Sequence, residues 1–165
     1  MPRRFHPEDE RLPPASLVKR LLAMLYDGLI CIAVLIVATW GYTLLAAWVV
    51  GFEEYKQMAE AGRINSDPLL TSFLFVVLFL FFGYFWTHTG QTLGMQVWRV
   101  RVENPDGTSI RWPQALLRFL MGWVSWLACG LGYLWMIWDG ENRSWTDRFS
   151  ESLVVQVPKP EKTQK

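Results

Sequence analysis

An acidic residue stands at the start of a run of 25 uncharged positions: Asp27 precedes Gly28, and the next formal charge is Glu53. Wound as a helix rising about 1.5 Å per residue, such a run is long enough to cross the roughly 30 Å hydrocarbon core of a bilayer. A carboxylate in or beside that core is costly, so it is expected to face a partner, a cavity or a pathway. Seven residues earlier, Arg20 lies in the amphipathic stretch Val18–Asp27. Arg20 and Asp27 are therefore where the functional question starts.

The remaining composition agrees with a membrane class. Hydrophobic residues make up 52% of the chain, and the charged ones gather at the ends and in two loops. Most apolar residues fall in three blocks, which leaves no room for a separate soluble domain of ordinary size. A net charge of +1 without a long basic stripe gives no support for a nucleic-acid partner. The polar first ten residues lack the apolar core of a cleaved signal peptide, so the first span is expected to act as its own anchor. Cys31 and Cys129 sit far apart in apolar runs without CxxC spacing and read as small packing residues.

Span one is expected from about Leu25 to Val50, and span two from about Leu69 to Thr87. A third apolar block, Phe119–Trp138, runs 20 residues without a formal charge but is interrupted by Gly130 and Gly132. Lys and Arg number five in the N-terminal flank (Arg3, Arg4, Arg11, Lys19, Arg20). The segment between blocks two and three holds four (Arg99, Arg101, Arg111, Arg118), and the C-terminal part five (Arg143, Arg148, Lys159, Lys162, Lys165). The first loop holds two, Lys56 and Arg63, and is net acidic. The positive-inside bias then puts the N-terminus in the cytoplasm and the first loop outside. A straight third span would send the basic tail outside, whereas a re-entrant hairpin turning near Cys129-Gly130 keeps it inside. Both the hairpin and the third span stay open at this point.

Between the second and third blocks, Gln96–Glu103 alternates apolar and charged residues, the period of a half-buried strand. Pro105-Asp106-Gly107 is a turn signal, after which Thr108–Trp112 is expected to return as a partner strand. Ser152–Val157 is expected to add a third strand, ended by Pro158. Such a sheet, at the cytoplasmic membrane surface, would turn Trp98, Val100 and Val102 toward protein or lipid and Arg99 and Arg101 toward phosphates or water. It would serve as a clamp between helix ends, or as a gate or partner edge.

These motifs together resemble the RDD family of small bacterial integral membrane proteins, named for an arginine and two aspartates. The first two letters match Arg20 and Asp27 in Arg20-Leu21-Leu22-Ala23-Met24-Leu25-Tyr26-Asp27. The middle signature matches Gly90-Gln91-Thr92-Leu93-Gly94-Met95, then Val100-Arg101-Val102 and Asp106-Gly107. Arg118 matches the arginine of the next helix, and Asp147 the last aspartate, in Ser144-Trp145-Thr146-Asp147-Arg148-Phe149. Thr146 stands where relatives often carry His, so any role of that His is absent here. The resemblance covers about residues 16–157 and implies a bacterial inner-membrane protein for which ligand or ion transport has been suggested.

Seven helical residues return to nearly the same face after a rise of about 10 Å, too far for an easy Arg20–Asp27 salt bridge. Each needs another partner, and Arg118 and Asp147 are the available opposite charges. The expectation is a four-member cluster on the cytoplasmic side in which Arg20 meets Asp147 and Arg118 meets Asp27. It would either staple the first span to the third block and the tail, or leave Asp27 to titrate or bind a cation in a vestibule.

Signs of enzymatic chemistry are lacking. His6 lies in what reads as a floppy tail and His88 at the end of span two, where it suits an interfacial hydrogen bond. No HExxH, CxxC, P-loop or GxSxG pattern occurs, so no catalytic, cofactor-binding or metal-ligating residue is expected. Gly90 and Gly94 are expected to let the chain turn from span two into the sheet. The expected architecture is a membrane α-helical fold with two transmembrane helices, a third apolar block as re-entrant hairpin or span, and a small cytoplasmic β-sheet. Residues 1–15 form a polar N-terminal tail, 16–157 one membrane domain, and 158–165 a polar C-terminal tail. Two spans enclose no path alone, so the expected partners besides the lipid bilayer are further copies of the chain or another membrane protein. A transport-related oligomer leads, with a non-catalytic assembly or accessory factor as the alternative.

Overall fold

The computed structural model of the chain describes residues 2–7, 11–62 and 67–159. Arg63, Lys162 and Lys165, counted in the charge bias, lie outside the described residues, as does most of the C-terminal tail. The chain divides into two compact units, one of residues 28–81 and one formed by the segments on either side.

The unit of residues 28–81 takes most of helices α1 (Leu17–Val50) and α3 (Pro68–His88), with α2 (Phe52–Glu60) between them. Both α1, at 34 residues, and α3, at 21, are long and apolar enough to cross a membrane. Gly51, at φ 104°, takes a backbone conformation that side chains disfavour and separates α1 from α2. Asp67 caps α3 by accepting from the Leu69 N–H at 2.9 Å, with Pro68 at the first helical position. The Tyr42 hydroxyl donates to the same carboxylate at 2.6 Å, and its ring lies 5.8 Å from that of Phe73. Val37, Trp40, Trp48 and Leu69 leave most of their surface uncovered by the chain. In a membrane-spanning helix such side chains are covered by lipid or by other protein.

Helix α1 ends where expected but starts eight residues earlier than Leu25, because Val18–Asp27 continues the same helix. Those first turns belong to the second unit, with the end of α3, α4 (Leu93–Val97), β1 (Val100–Glu103) and α5 (Trp112–Leu127). α6 (Leu131–Leu134), a 3₁₀ turn over Trp135–Ile137, α7 (Trp145–Phe149) and β2 (Leu153–Gln156) complete it. β1 and β2 pair antiparallel with Val102 opposite Val154. Among the described residues the sheet has these two strands. Its core is Ala15, Ala23, Met95, Val100, Val102, Ile110, Ala115 and Val154, with Trp86 and Trp98 packed against it.

The sheet departs from expectation in three places. Residues 96 and 97 are helical because the Thr92 hydroxyl caps α4 by accepting from the Met95 N–H, so the strand begins only at Val100. The turn at Pro105-Asp106-Gly107 forms, closed by the Gly107 N–H on the Asn104 carbonyl at 2.9 Å. Thr108–Trp112 is not a partner strand, however. Thr108 bridges to Arg4, the Ser109 N–H donates to the Arg3 carbonyl at 2.7 Å, and α5 begins at Trp112. Residues 13–15 lie along the free side of β2, where the Ala15 N–H reaches the Val154 carbonyl at 2.9 Å. The Gly90 carbonyl accepts from the Val102 N–H on β1 at 2.8 Å. Both edges are thus covered, which protects a short two-stranded ladder.

The third apolar block breaks between Ala128 and Gly130, and the helices on either side are bent by 108°. Cys129 and Gly130 both have positive φ, which lets the chain reverse direction there. Gly132 is required by packing: a Cβ would collide with the Ser125 hydroxyl and come within 2.9 Å of the Trp145 ring. Of the two cysteines expected as small packing residues, Cys31 is half-buried and Cys129 is exposed at the bend.

Candidate functional site

Asp147 is 1% exposed and is the centre of the charged cluster. It reaches this position through a capping box at the start of α7: the Ser144 N–H donates to its Oδ2 at 3.1 Å, and the Ser144 hydroxyl accepts from its N–H. Arg20, from the first turn of α1, donates through Nη1 to the same Oδ2. Arg118, in the middle of α5, donates through Nη1 to Oδ1 at 2.7 Å. One carboxylate therefore serves two guanidiniums, and both of those residues are less than a tenth exposed.

Two cations and one anion leave a surplus positive charge in a buried site, and polar groups around it compensate. The Ala15 carbonyl accepts from Arg20 Nε at 3.1 Å, and the Asn142 and Val154 carbonyls from Nη2, each at 3.2 Å. Arg118 also donates to the Ser152 hydroxyl at 2.9 Å, and its Cζ lies 5.6 Å from the centre of a Trp86 ring. Burial alone would push the Asp147 carboxyl up, but the guanidiniums of Arg118 and Arg20 outweigh it and hold it below the usual carboxylate range. Asp147 is thus a fixed anion that ties α1, α5, α7 and the neighbourhood of β2 together. It is poorly suited to exchange a proton.

Asp27 occupies a different environment. It is 5% exposed, and its Oδ1 accepts from the Gly94 N–H at 2.9 Å while its Oδ2 accepts from the Thr92 hydroxyl. The expected Arg118–Asp27 pair does not form, because Arg118 is spent on Asp147 and Ser152. Among the described residues Asp27 makes no ion pair. Gly94 permits this approach: a Cβ there would meet the Ala23 carbonyl and stand 2.8 Å from Asp27 Oδ1. Gly94 is therefore needed for contact with α1, while the expected turn is made by Gly90, at φ 69°.

A model of the RDD family matches residues 14–151. The chain belongs to the RDD family. No curated protein and no solved structure gave a match. Of the arginine and two aspartates singled out in the sequence, Arg20 and Asp147 fall in a paired cluster and Asp27 is a lone acid. Arg118 is the fourth member, since without it Asp147 would bridge only α1 and α7.

Other charged groups of this RDD chain were harder to foresee. Glu103, buried on β1, accepts from Arg101 Nε at 2.9 Å, so Arg101 does not point to phosphates or water as expected. His6 does not lie in a floppy tail: its Nε2 is 2.9 Å from the other Glu103 oxygen. Asp139 accepts from the Arg143 N–H at 2.8 Å and pairs with Arg148, and these contacts hold its carboxyl below the usual range. His88 stacks on Tyr84 at the end of α3. Among the described residues no group of three or more His, Cys, Asp or Glu side chains is placed to hold a metal ion.

Proposed function

We propose that this RDD protein resides in a bacterial inner membrane with its N-terminus in the cytoplasm and moves an ion or small ligand as an oligomer. In this reading residues 16–157 act as one membrane domain, and Asp27 is the functional member of the set Arg20, Asp27, Arg118 and Asp147. The observation that carries it is the company Asp27 keeps: a buried carboxylate on α1 where its uncharged run begins, bonded by a hydroxyl and an amide. Neutral donors hold the carboxylate in place without cancelling its charge, so a proton or a cation remains free to neutralise it. Arg20, Arg118 and Asp147 hold the scaffold that positions it. Two spanning helices line no path alone, so transport requires several copies.

Asp27→Asn tests this with little disturbance of the fold. The amide oxygen can still accept from the Gly94 N–H, and its NH₂ can donate to the Thr92 hydroxyl. The variant is expected to insert and run at the wild-type size in detergent, while cation- or proton-driven flux in proteoliposomes falls to background. Unchanged flux in a well-folded Asp27→Asn protein would remove Asp27 from any path.

A second reading, an accessory protein that binds another membrane protein, is favoured by the uncovered Trp40 and Trp48 on α1. Cross-linking in native membranes separates the two. Self-linked oligomers support the transport reading, and recovery only in a larger hetero-complex supports the accessory one.

A further inference from the structure

The N-terminal segment Arg3–His6 is tied to the sheet by its backbone and by the side chains of Phe5 and His6. The Phe5 N–H donates to the Gly107 carbonyl at 3.0 Å, and the Arg3 carbonyl accepts from the Ser109 N–H at 2.7 Å. The His6 ring packs over Gly107, where a Cβ would stand 2.8 Å from its Cε1. Arg101 places its Cζ 4.6 Å from the centre of the Phe5 ring.

The ring nitrogens of His6 both face acceptors. Nδ1 lies 3.0 Å from the Pro7 carbonyl and Nε2 lies 2.9 Å from Glu103 Oε1. A carbonyl and a carboxylate have no proton to give, so only the doubly protonated imidazolium can donate to both. A neutral ring loses one of the two bonds whichever tautomer it takes. If the loss falls at Nε2, a ring lone pair faces the carboxylate.

We propose that residues 3–6 form a pH-operated strap on the sheet, held down while His6 is an imidazolium and released when it loses its proton. The charged groups around the ring are Glu103, which attracts the imidazolium, and Arg101, which shares Glu103 and opposes it. Asp106, in the adjoining turn, is bonded by the Thr108 hydroxyl and N–H and lies close to Arg4. The hydrogen bond to Glu103 outweighs burial and raises His6 above its ordinary 6.5. A raised pKa in the held state fixes the sign: the hold is complete below about pH 6.5 and is lost as pH rises through the raised value. Release would uncover Glu103 and the backbone of Gly107–Ser109, so the sheet would present a new acidic edge on the alkaline side of neutrality.

A spin label at Arg3→Cys, in full-length protein carrying Cys31→Ser and Cys129→Ser in lipid nanodiscs, tests this directly. Between about pH 5.5 and about pH 8.5 the label is expected to pass from immobile to mobile, with its midpoint above 6.5. With His6→Ala added, it is expected to be mobile throughout. With Glu103→Gln added, the midpoint is expected to move toward acid. A label indifferent to pH in the wild-type background overturns the proposal. So does a His6→Ala protein that keeps the transition or stays immobile, or a midpoint that Glu103→Gln leaves in place.

Discussion

Replacing Asp147 by Asn is expected to leave the protein unable to hold its fold. The substitution keeps the shape of the side chain but removes the one anion shared by two buried guanidiniums. Breaking a buried pair by removing one partner costs about 3–5 kcal/mol, and here two partners are orphaned, so the upper end applies. A loss of that size is comparable with the whole stability of many domains. The expected result is a collapse in the yield of monodisperse protein after detergent extraction, read by size-exclusion chromatography. Wild-type recovery from Asp147→Asn would remove the cluster from any structural role. The lowered Asp147 pKa also sets a pH dependence. The stability it confers is complete above the unfolded value of 3.8 and is lost only as pH falls through the lower folded value.

Gly94→Ala is expected to give the second large effect, although it adds a single methyl group. That methyl would collide with the Ala23 carbonyl and crowd the Asp27 carboxylate. Both obstacles lie on α1, one in its backbone, so little can give way. Overpacking of this kind costs about 1–3 kcal/mol. Pushing α4 away also takes the Gly94 N–H and the Thr92 hydroxyl from Asp27, and a buried polar group left unbonded adds about 1–3 kcal/mol. Thermal unfolding in detergent should show a clear drop for Gly94→Ala and little change for Gly140→Ala, where a Cβ has nothing within 4 Å. Equal behaviour of the two would mean that α4 does not press on α1.

What could be read in the sequence was set by single-chain physics. The two spans follow from uncharged runs of the right length, and the break at Cys129-Gly130 from glycine punctuation in an otherwise continuous block. β2 was legible as a short β-branched run before a proline. Arg20 and Asp147 could be matched because opposite charges in apolar surroundings must find each other. The same rule misassigned Arg118. It pairs charge with charge one to one, whereas Asp147 has two oxygens and took both arginines. The partners of Asp27 are a hydroxyl and a backbone N–H, which carry no charge to signal the contact. Thr92 ahead of Gly94 was the available clue, as a cap residue followed by one small enough for close approach. Gln96–Glu103 misled because its alternation is real, but the Thr92 cap winds its first two residues into α4. His6 was hidden because its partner Glu103 is 97 residues away.

Arg118 is tied to Asp147, and Asp27 stands apart from both arginines. Two double-mutant cycles test this on one scale, using unfolding free energies in detergent for Arg118→Met with Asp147→Asn and for Arg118→Met with Asp27→Asn. Where Asp147→Asn alone yields too little folded protein to measure, the same coupling is read as recovery of folded protein when Arg118→Met is added to it. The first cycle is expected to show a coupling of roughly 1 kcal/mol or more, and the second to be additive within about 0.5 kcal/mol. Coupling between Arg118 and Asp27, with additivity between Arg118 and Asp147, would contradict the account.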